Sequence, residues 1–282
     1  MRQFNTKDIS IRDVYHLIIS SVVPRPIAFV GSVDKNKNYN LAPFSFFNAF
    51  GANPPIIGFS PTLSGRTGLP KDTLLNIKET KEFTISIVNS SIVEQISLSS
   101  CEFDKNTDEF IKSGLTKIKS KKIKPHGVLE SHFIMECKLY DIIELGNNPA
   151  SGNLILGEVI HFHVAESILN DNNQIDPYKL DPIARNGGNW YTEAKKGLFE
   201  LKKPKNIGIG FDQLPVSILN SELTGNELAK LASIEKIPKY YLEKNLEKLS
   251  KEQLVMEIKD KIDSNEIIIA WNIVLHLQKT YE

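Results

Sequence analysis

Three stretches of the chain carry residue types whose spacing could do chemistry. The first is SPTLSGRTGLPKDTLLNIKET, residues 60–80, where Gly65, Gly68 and Pro70 mark an irregular loop. The pattern predicts Thr73 as the cap of a helix beginning at Leu74. A helix start presents N–H groups without intrahelical partners at the positive end of its dipole, so it attracts an anion. Arg66 and Lys71 add two cations just before it, and Asn76 lies one turn after Thr73 on the same face. That combination suits a phosphate monoester. The competing reading is a plain cap beside two solvated cations.

The second stretch is LAPFSFFNAF, residues 41–50. Pro43 removes a ladder donor, which marks a strand edge or a bulge where backbone groups are available to a ligand. Ser45 and Asn48 could bond the polar rim of a planar heterocycle, while Phe44, Phe46 and Phe47 bury its apolar part. An ordinary strand end is the alternative. The third stretch is ARNGGNWYT, residues 184–192. Gly187 and Gly188 permit close backbone approach or positive φ. Arg185, Trp190 and Tyr191 flank them, suiting a loop that closes over a ring, with a plain turn as competitor.

Other chemistry finds little support. No glycine-rich dinucleotide fingerprint, P-loop, GxSxG or HExxH motif occurs. His161 and His163 share one strand face as a possible metal pair, but no third ligand is near them in sequence, so they read as core or surface. No metal site is expected. Asp104, Asp108 and Glu109 read as loop and helix-start acids, and the basic run Lys117 to Lys124 as a solvated turn.

The elements that must position these stretches are mostly strands, expected at 26–34, 41–50, 54–60, 82–89, 130–145 and 153–166. The first two, joined by the polar turn DKNKNYN, predict an antiparallel hairpin. Short helices are expected near 8–20, 73–80, 91–98 and 107–113. This order argues for an antiparallel barrel rather than a βαβ sheet. Residues 167–203 read as a long loop. After KKPKN at 202–206, a Leu-, Lys- and Glu-rich pattern over 225–279 predicts helices. The division expected is 1–203 and 204–282.

The 282 residues suffice for one large domain with an appendage. With 34 basic and 34 acidic side chains, the formal charge is zero, so no global field draws the chain to nucleic acid or to a membrane surface. No apolar run could span a bilayer and the N-terminus does not read as a signal peptide. Cys101 and Cys137 match no metal spacing, so a cytoplasmic protein with reduced thiols is expected.

The runs VVPRPIAFVGSVD, YNLAPFSFFNAFGANPPIIGFSP, KDTLLNI and EFTISIVN closely resemble the flavin reductase-like proteins with an FMN-binding split barrel, the group that includes flavoredoxin. DEFIKSGLT, KPHGVLESHFIMECKL, GNLILGEVIHFHV and DPIARNGGNWYT continue the likeness in one collinear order from about residue 14 to 192. The resemblance implies a mainly β, α+β fold: an antiparallel split β-barrel with short helices, here with a C-terminal helical extension. It also implies a homodimer with one FMN per subunit near the interface. Arg25 and Pro43, Phe44, Ser45, Phe46, Phe47 and Asn48 would line the flavin. Ser60, Lys71, Asp72 and Thr73 would hold the ribityl phosphate, joined by Asn76 from the helix-start reading. Asn89 would end a strand near the flavin, and Arg185, Gly188 and Tyr191 would lie close to the ring. No side chain is assigned a catalytic role.

Three functions remain open at this point. The chain could pass electrons from NAD(P)H through FMN to an acceptor. It could be an FMN electron carrier reduced by a partner protein. It could be a non-redox binder of a phosphorylated ring. In the last third, LPVSILNSELTGNELAKLASIEKIP resembles an extension of longer members, which have glycines where this chain has Ala232 and Ser233.

Overall fold

The computed structural model describes residues 1–105, 107–201 and 207–281. It divides into two compact units, Met1–Phe199 and Glu200–Glu282. The boundary expected at 203/204 lies outside the described residues.

The first unit opens with α1 (Ile11–Ser21), capped by Ser10, whose hydroxyl accepts from the Asp13 amide. There follow β1 (Arg25–Pro26), β2 (Ala28–Val33), β3 (Tyr39–Phe44), β4 (Phe47–Ala52), β5 (Pro55–Phe59), α2 (Asp72–Thr80) and β6 (Glu82–Ile87). Next come α3 (Val93–Ser99), α4 (Glu109–Ser113), β7 (Lys117–Ile118), β8 (Gly127–Val128), β9 (Phe133–Glu144) and β10 (Asn153–Val164). The unit closes with α5 (Pro177–Leu180), β11 (Ile183–Arg185) and β12 (Tyr191–Glu193).

Seven strands form one antiparallel sheet in the order β3-β2-β6-β9-β10-β5-β4. The hairpin expected from the first two runs is present, with Ala28 opposite Phe44 and Val33 opposite Tyr39. The second run, however, is not one strand. It breaks at Ser45 and Phe46, and its halves β3 and β4 occupy opposite ends of the sheet. Three Cα–Cα steps reach at most about 11 Å, whereas a flat sheet of that many strands would be roughly 29 Å wide. The sheet therefore curls until its edges meet at Ser45–Phe46, which is the barrel expected from the sequence.

Alternation along β2 explains its unbroken apolar sequence. Ala28 and Val30 join the barrel interior with Phe59, Phe83, Ile85, Met135, Ile155, Leu74 and Ile77. Phe29 faces the other way, into a second cluster with Ile92, Ile96 and Phe110 from the small helices. Between β7 and β8 the basic turn is tied inward. Glu136 is fully buried and accepts from the amides of Lys121 and Lys122 while contacting His163. Burial alone would raise this carboxyl, yet the Lys121 amide, His163 and the Lys122 amide hold it below the usual carboxylate range.

Residues 167–201, within the stretch expected to be a loop, are more ordered than that. β11 and β12 pair, and β1 joins them in a three-stranded sheet. Runs of three residues are too short to show a sequence period, which is why the pattern reads as irregular.

The second unit contains α6 (Val216–Leu219), α7 (Gly225–Ala232), α8 (Lys251–Asp263) and α9 (Ile267–Tyr281). Capping boxes start α7 at Thr224 with Glu227 and α8 at Ser250 with Gln253. Leu254, Ile258 and Ile262, four residues apart, meet Leu228, Leu231, Trp271, Val274 and Leu277 in its own core. The Trp271 ring N–H donates to the Leu231 carbonyl at 2.9 Å. Among the described residues no helix is long and apolar enough to cross a membrane.

Candidate functional site

Arg25 is the hub of the site. The last carbonyls of a helix lack intrahelical donors and lie at its negative end. Arg25 meets those of α1, donating to the carbonyls of Ile19 and Val22. It also donates to the Asn186 carbonyl at 3.1 Å and to the Ser45 hydroxyl at 3.4 Å. Four of its five N–H groups are thereby engaged, and the side chain is buried. Burial depresses its pKa, with Arg185 adding to the effect and Tyr15 opposing it. Arg25 therefore fixes α1, the barrel seam and the 184–192 loop to one another. Backbone pairing does the same, since Arg25 lies opposite Arg185 and Pro26 opposite Ala184.

At the seam, Pro43 sits in the edge strand β3 opposite Phe29, where a missing donor is tolerated. Phe44 and Phe47 turn toward the barrel interior, with the Phe44 and Phe59 rings 5.3 Å apart. Phe46 instead lies under the Arg25 guanidinium, 6.0 Å from Cζ to ring centre. The three phenylalanines expected to wall one ligand are thus divided between core and site. Asn48 is exposed, and its side-chain oxygen accepts from the Ala49 amide at 2.8 Å. Ser60 lies beside the seam, its amide donating to the Phe46 carbonyl at 2.8 Å.

The start of α2 corrects an expectation. Its N-cap is Lys71, with no side-chain cap bond, and Thr73 lies inside the first turn. Thr73 is buried, and its hydroxyl accepts from the Asn40 amide at 2.9 Å. Asn40 also donates to Ser32 at 3.2 Å, and Asn76 to the same hydroxyl at 3.1 Å. Thr73 and Asn76 share a helix face as expected, but that face meets the β2–β3 hairpin, so its polar atoms anchor the helix to the sheet. Because a lysine side chain offers no acceptor, the first amides of α2 keep no cap from their own N-cap residue. Asp72 supplies an acid in that first turn. Lys71 lies 3.5 Å from Glu102, which Arg66 also contacts.

Asn89 lies two residues past the end of β6 with its polar atoms engaged. Its oxygen accepts from the Ser91 amide at 3.1 Å and from the Ser91 hydroxyl, and its amide donates to the Glu130 carbonyl at 3.0 Å. It holds the strand end to Pro182, next to β11. In the β11–β12 loop, Gly188 has φ +57° and a Cβ on Gly187 would stand 2.5 Å from the Ser20 hydroxyl of α1. Arg185 stacks on Tyr191, 4.5 Å from Cζ to ring centre, and Trp190 is exposed. Tyr191, Thr192 and Glu193 also line an open groove of about 630 Å³ with Val93, Glu94 and Ser97 of α3.

A family model described as a flavin reductase like domain matches residues 20–178. The chain belongs to the flavin reductase-like family. An uncharacterized protein of Halalkalibacterium halodurans is 36% identical over 207 residues, covering 72% of this chain and 96% of the relative. Nitrilotriacetate monooxygenase component B from Bacillus cereus is 36% identical with a TM-score of 0.66, over 72% of this chain and 98% of that one. The 2-nitrobenzoate 2-nitroreductase of Pseudomonas fluorescens is 27% identical with a TM-score of 0.63, over 72% and 97%.

On this flavin reductase-like frame, the structure brings Arg25, Ser45, Phe46, Arg185 and Tyr191 into one connected assembly and places Ser60 at its edge. Phe44 and Phe47 pack, partly buried, against the barrel interior, and Thr73 and Asn76 bond side chains of the β2–β3 hairpin. Asn186 and Ser20 escape sequence reasoning, since the first acts through its carbonyl and the second is a long-range contact that Gly187 permits. The α3 side of the groove gives no sequence signal beyond an amphipathic helix.

Proposed function

We propose that this chain binds FMN and passes electrons from NAD(P)H through it to an acceptor. The observation that carries the reading is the seam: the sheet edges meet at Ser45–Phe46, and Arg25 locks that break to the Arg185–Tyr191 hairpin. A strand break leaves backbone groups outside the ladder, which is what a ring with polar edges needs. The lack of a side-chain cap on α2, with Lys71 as its N-cap, fits a phosphate at that end.

In this reading, the Lys71 ammonium and the first-turn amides of α2, that of Asp72 among them, hold the phosphate, with Ser60 between them and the seam. Ser45, Asn48 and the seam backbone meet the polar edge of the ring, while Phe46 and Tyr191 exclude water from its faces. Arg25 positions Ser45 and the loop. Redox capacity is the cofactor's own, since a flavin takes electrons from a reduced nicotinamide and returns them to an acceptor. The reading includes a cytoplasmic location and a homodimer, for which the exposed Phe50, Tyr140, Phe162 and Trp190 of the first unit offer apolar surface.

The test is anaerobic stopped-flow absorbance of FMN-loaded protein mixed with NADH or NADPH. Rapid bleaching with either nucleotide is expected. A yellow protein that neither nucleotide bleaches would move the reading to a carrier reduced by a partner protein. Failure to take up FMN would overturn it.

A further inference from the structure

We propose that Glu136, His161 and His163 form a binding site for a divalent transition-metal ion of the zinc class, separate from the flavin. In sequence the two histidines are an incomplete pair. Residues two apart on a strand point to the same face, and two imidazoles alone make a poor site. The third group comes from the neighbouring strand. In the β9–β10 ladder, Glu136 stands opposite His161 just after an irregularity in register between Val159 and His161. One ligand atom from each of the three residues lies within 4.8 Å of the others. The His163 ring nitrogen is 2.6 Å from the Glu136 oxygen, and the two imidazoles meet edge to face with centres 5.0 Å apart.

The geometry is close to what a tetrahedral ion requires. Bonds of 2.0–2.1 Å place ligand atoms about 3.3 Å apart, so the widest pair here must close by at most roughly 1.5 Å and the Glu136–His163 pair must open from 2.6 Å by roughly 0.7 Å. Both histidines are half-buried and so retain room to turn, whereas Glu136 is fixed. Its two oxygens accept from the amides of Lys121 and Lys122 at 2.6 and 2.7 Å. Such bonds to the far lone pairs of a ligating carboxylate orient it for a metal.

The chemistry of the donor set names the ion. Two imidazoles and one carboxylate favour zinc and its transition-metal neighbours over magnesium and calcium, which prefer all-oxygen shells. Three protein ligands leave a fourth position for water. His161 is the informative member. Its ring has no hydrogen-bond partner among the described residues, and its ring contact there is with His163. A structural Glu136–His163 pair would not need it.

The test is calorimetric titration of chelator-treated, FMN-loaded full-length protein with zinc chloride. One equivalent per chain is expected, and His161→Ala should weaken it by about 100-fold, at least the loss seen on removing an outer partner of a metal ligand. His161→Ala is the chosen variant because no hydrogen bond is lost with that ring. Glu136→Gln would also disturb the turn at Lys121. A parallel melt should show zinc raising the Tm of the wild type but not of His161→Ala. No saturable uptake, or uptake unchanged in His161→Ala, would overturn the site.

Discussion

Arg25 shows how one side chain can tie a helix, a strand break and a loop together with four of its five N–H groups. Its guanidinium joins carbonyls of α1 and of the 184–192 loop to the Ser45 hydroxyl. Arg25→Met leaves the buried Ile19 carbonyl and the partly buried Val22 and Asn186 carbonyls without a charged donor, and the loss in stability should be about 3 kcal/mol. Urea unfolding would measure it, and FMN affinity should fall in parallel because Ser45 and Asn186 lose their common anchor. An unchanged urea midpoint would mean that the bonds contribute nothing net. The PRP signal was legible in the sequence, but its role was not. A buried arginine that meets three main-chain carbonyls cannot be told from a ligand-binding one without the fold.

At the scale of elements, β2 is the strand that everything else must fit. Its alternate residues serve two cores, and Gly31 lies where the chain passes closest to its neighbours. A Cβ there would stand 2.2 Å from the His126 carbonyl oxygen and 2.5 Å from the Thr84 hydroxyl. Backbone cannot yield as a flexible side chain can, so Gly31→Ala should cost about 3 kcal/mol, at the upper end of overpacking effects. A thermal melt reads this as a clear drop in Tm, and a neutral result would deny the close approach. The β2–β3 hairpin was readable from its polar turn. The break that separates β3 from β4 was not, because Ser45 and Phe46 differ from their neighbours only in which edge each half joins. Thr73 fails for a related reason. The loop sequence allowed it as a cap, and the sheet beneath α2 claimed its hydroxyl instead.

For the whole molecule, each unit carries its own core, and the two solved structures named above each cover 72% of this chain. A chain ending after Phe199 should therefore fold alone and quench FMN fluorescence with the affinity of the full chain. Loss of flavin binding on truncation would instead make the second unit part of the site. The helical character of that unit was plain from its spacing, whereas its capping boxes, TGNE at 224–227 and SKEQ at 250–253, emerged with the structure.

The sequence by itself determined the family, the strand-rich first unit and the helical second one, because period, turn chemistry and collinear motifs are local properties. Tertiary structure alone decided that the Thr73 hydroxyl faces the sheet, that Ser45–Phe46 joins two sheet edges, and that Glu136 stands opposite His161. Those outcomes depend on strand register, and register is fixed by partners far away along the chain.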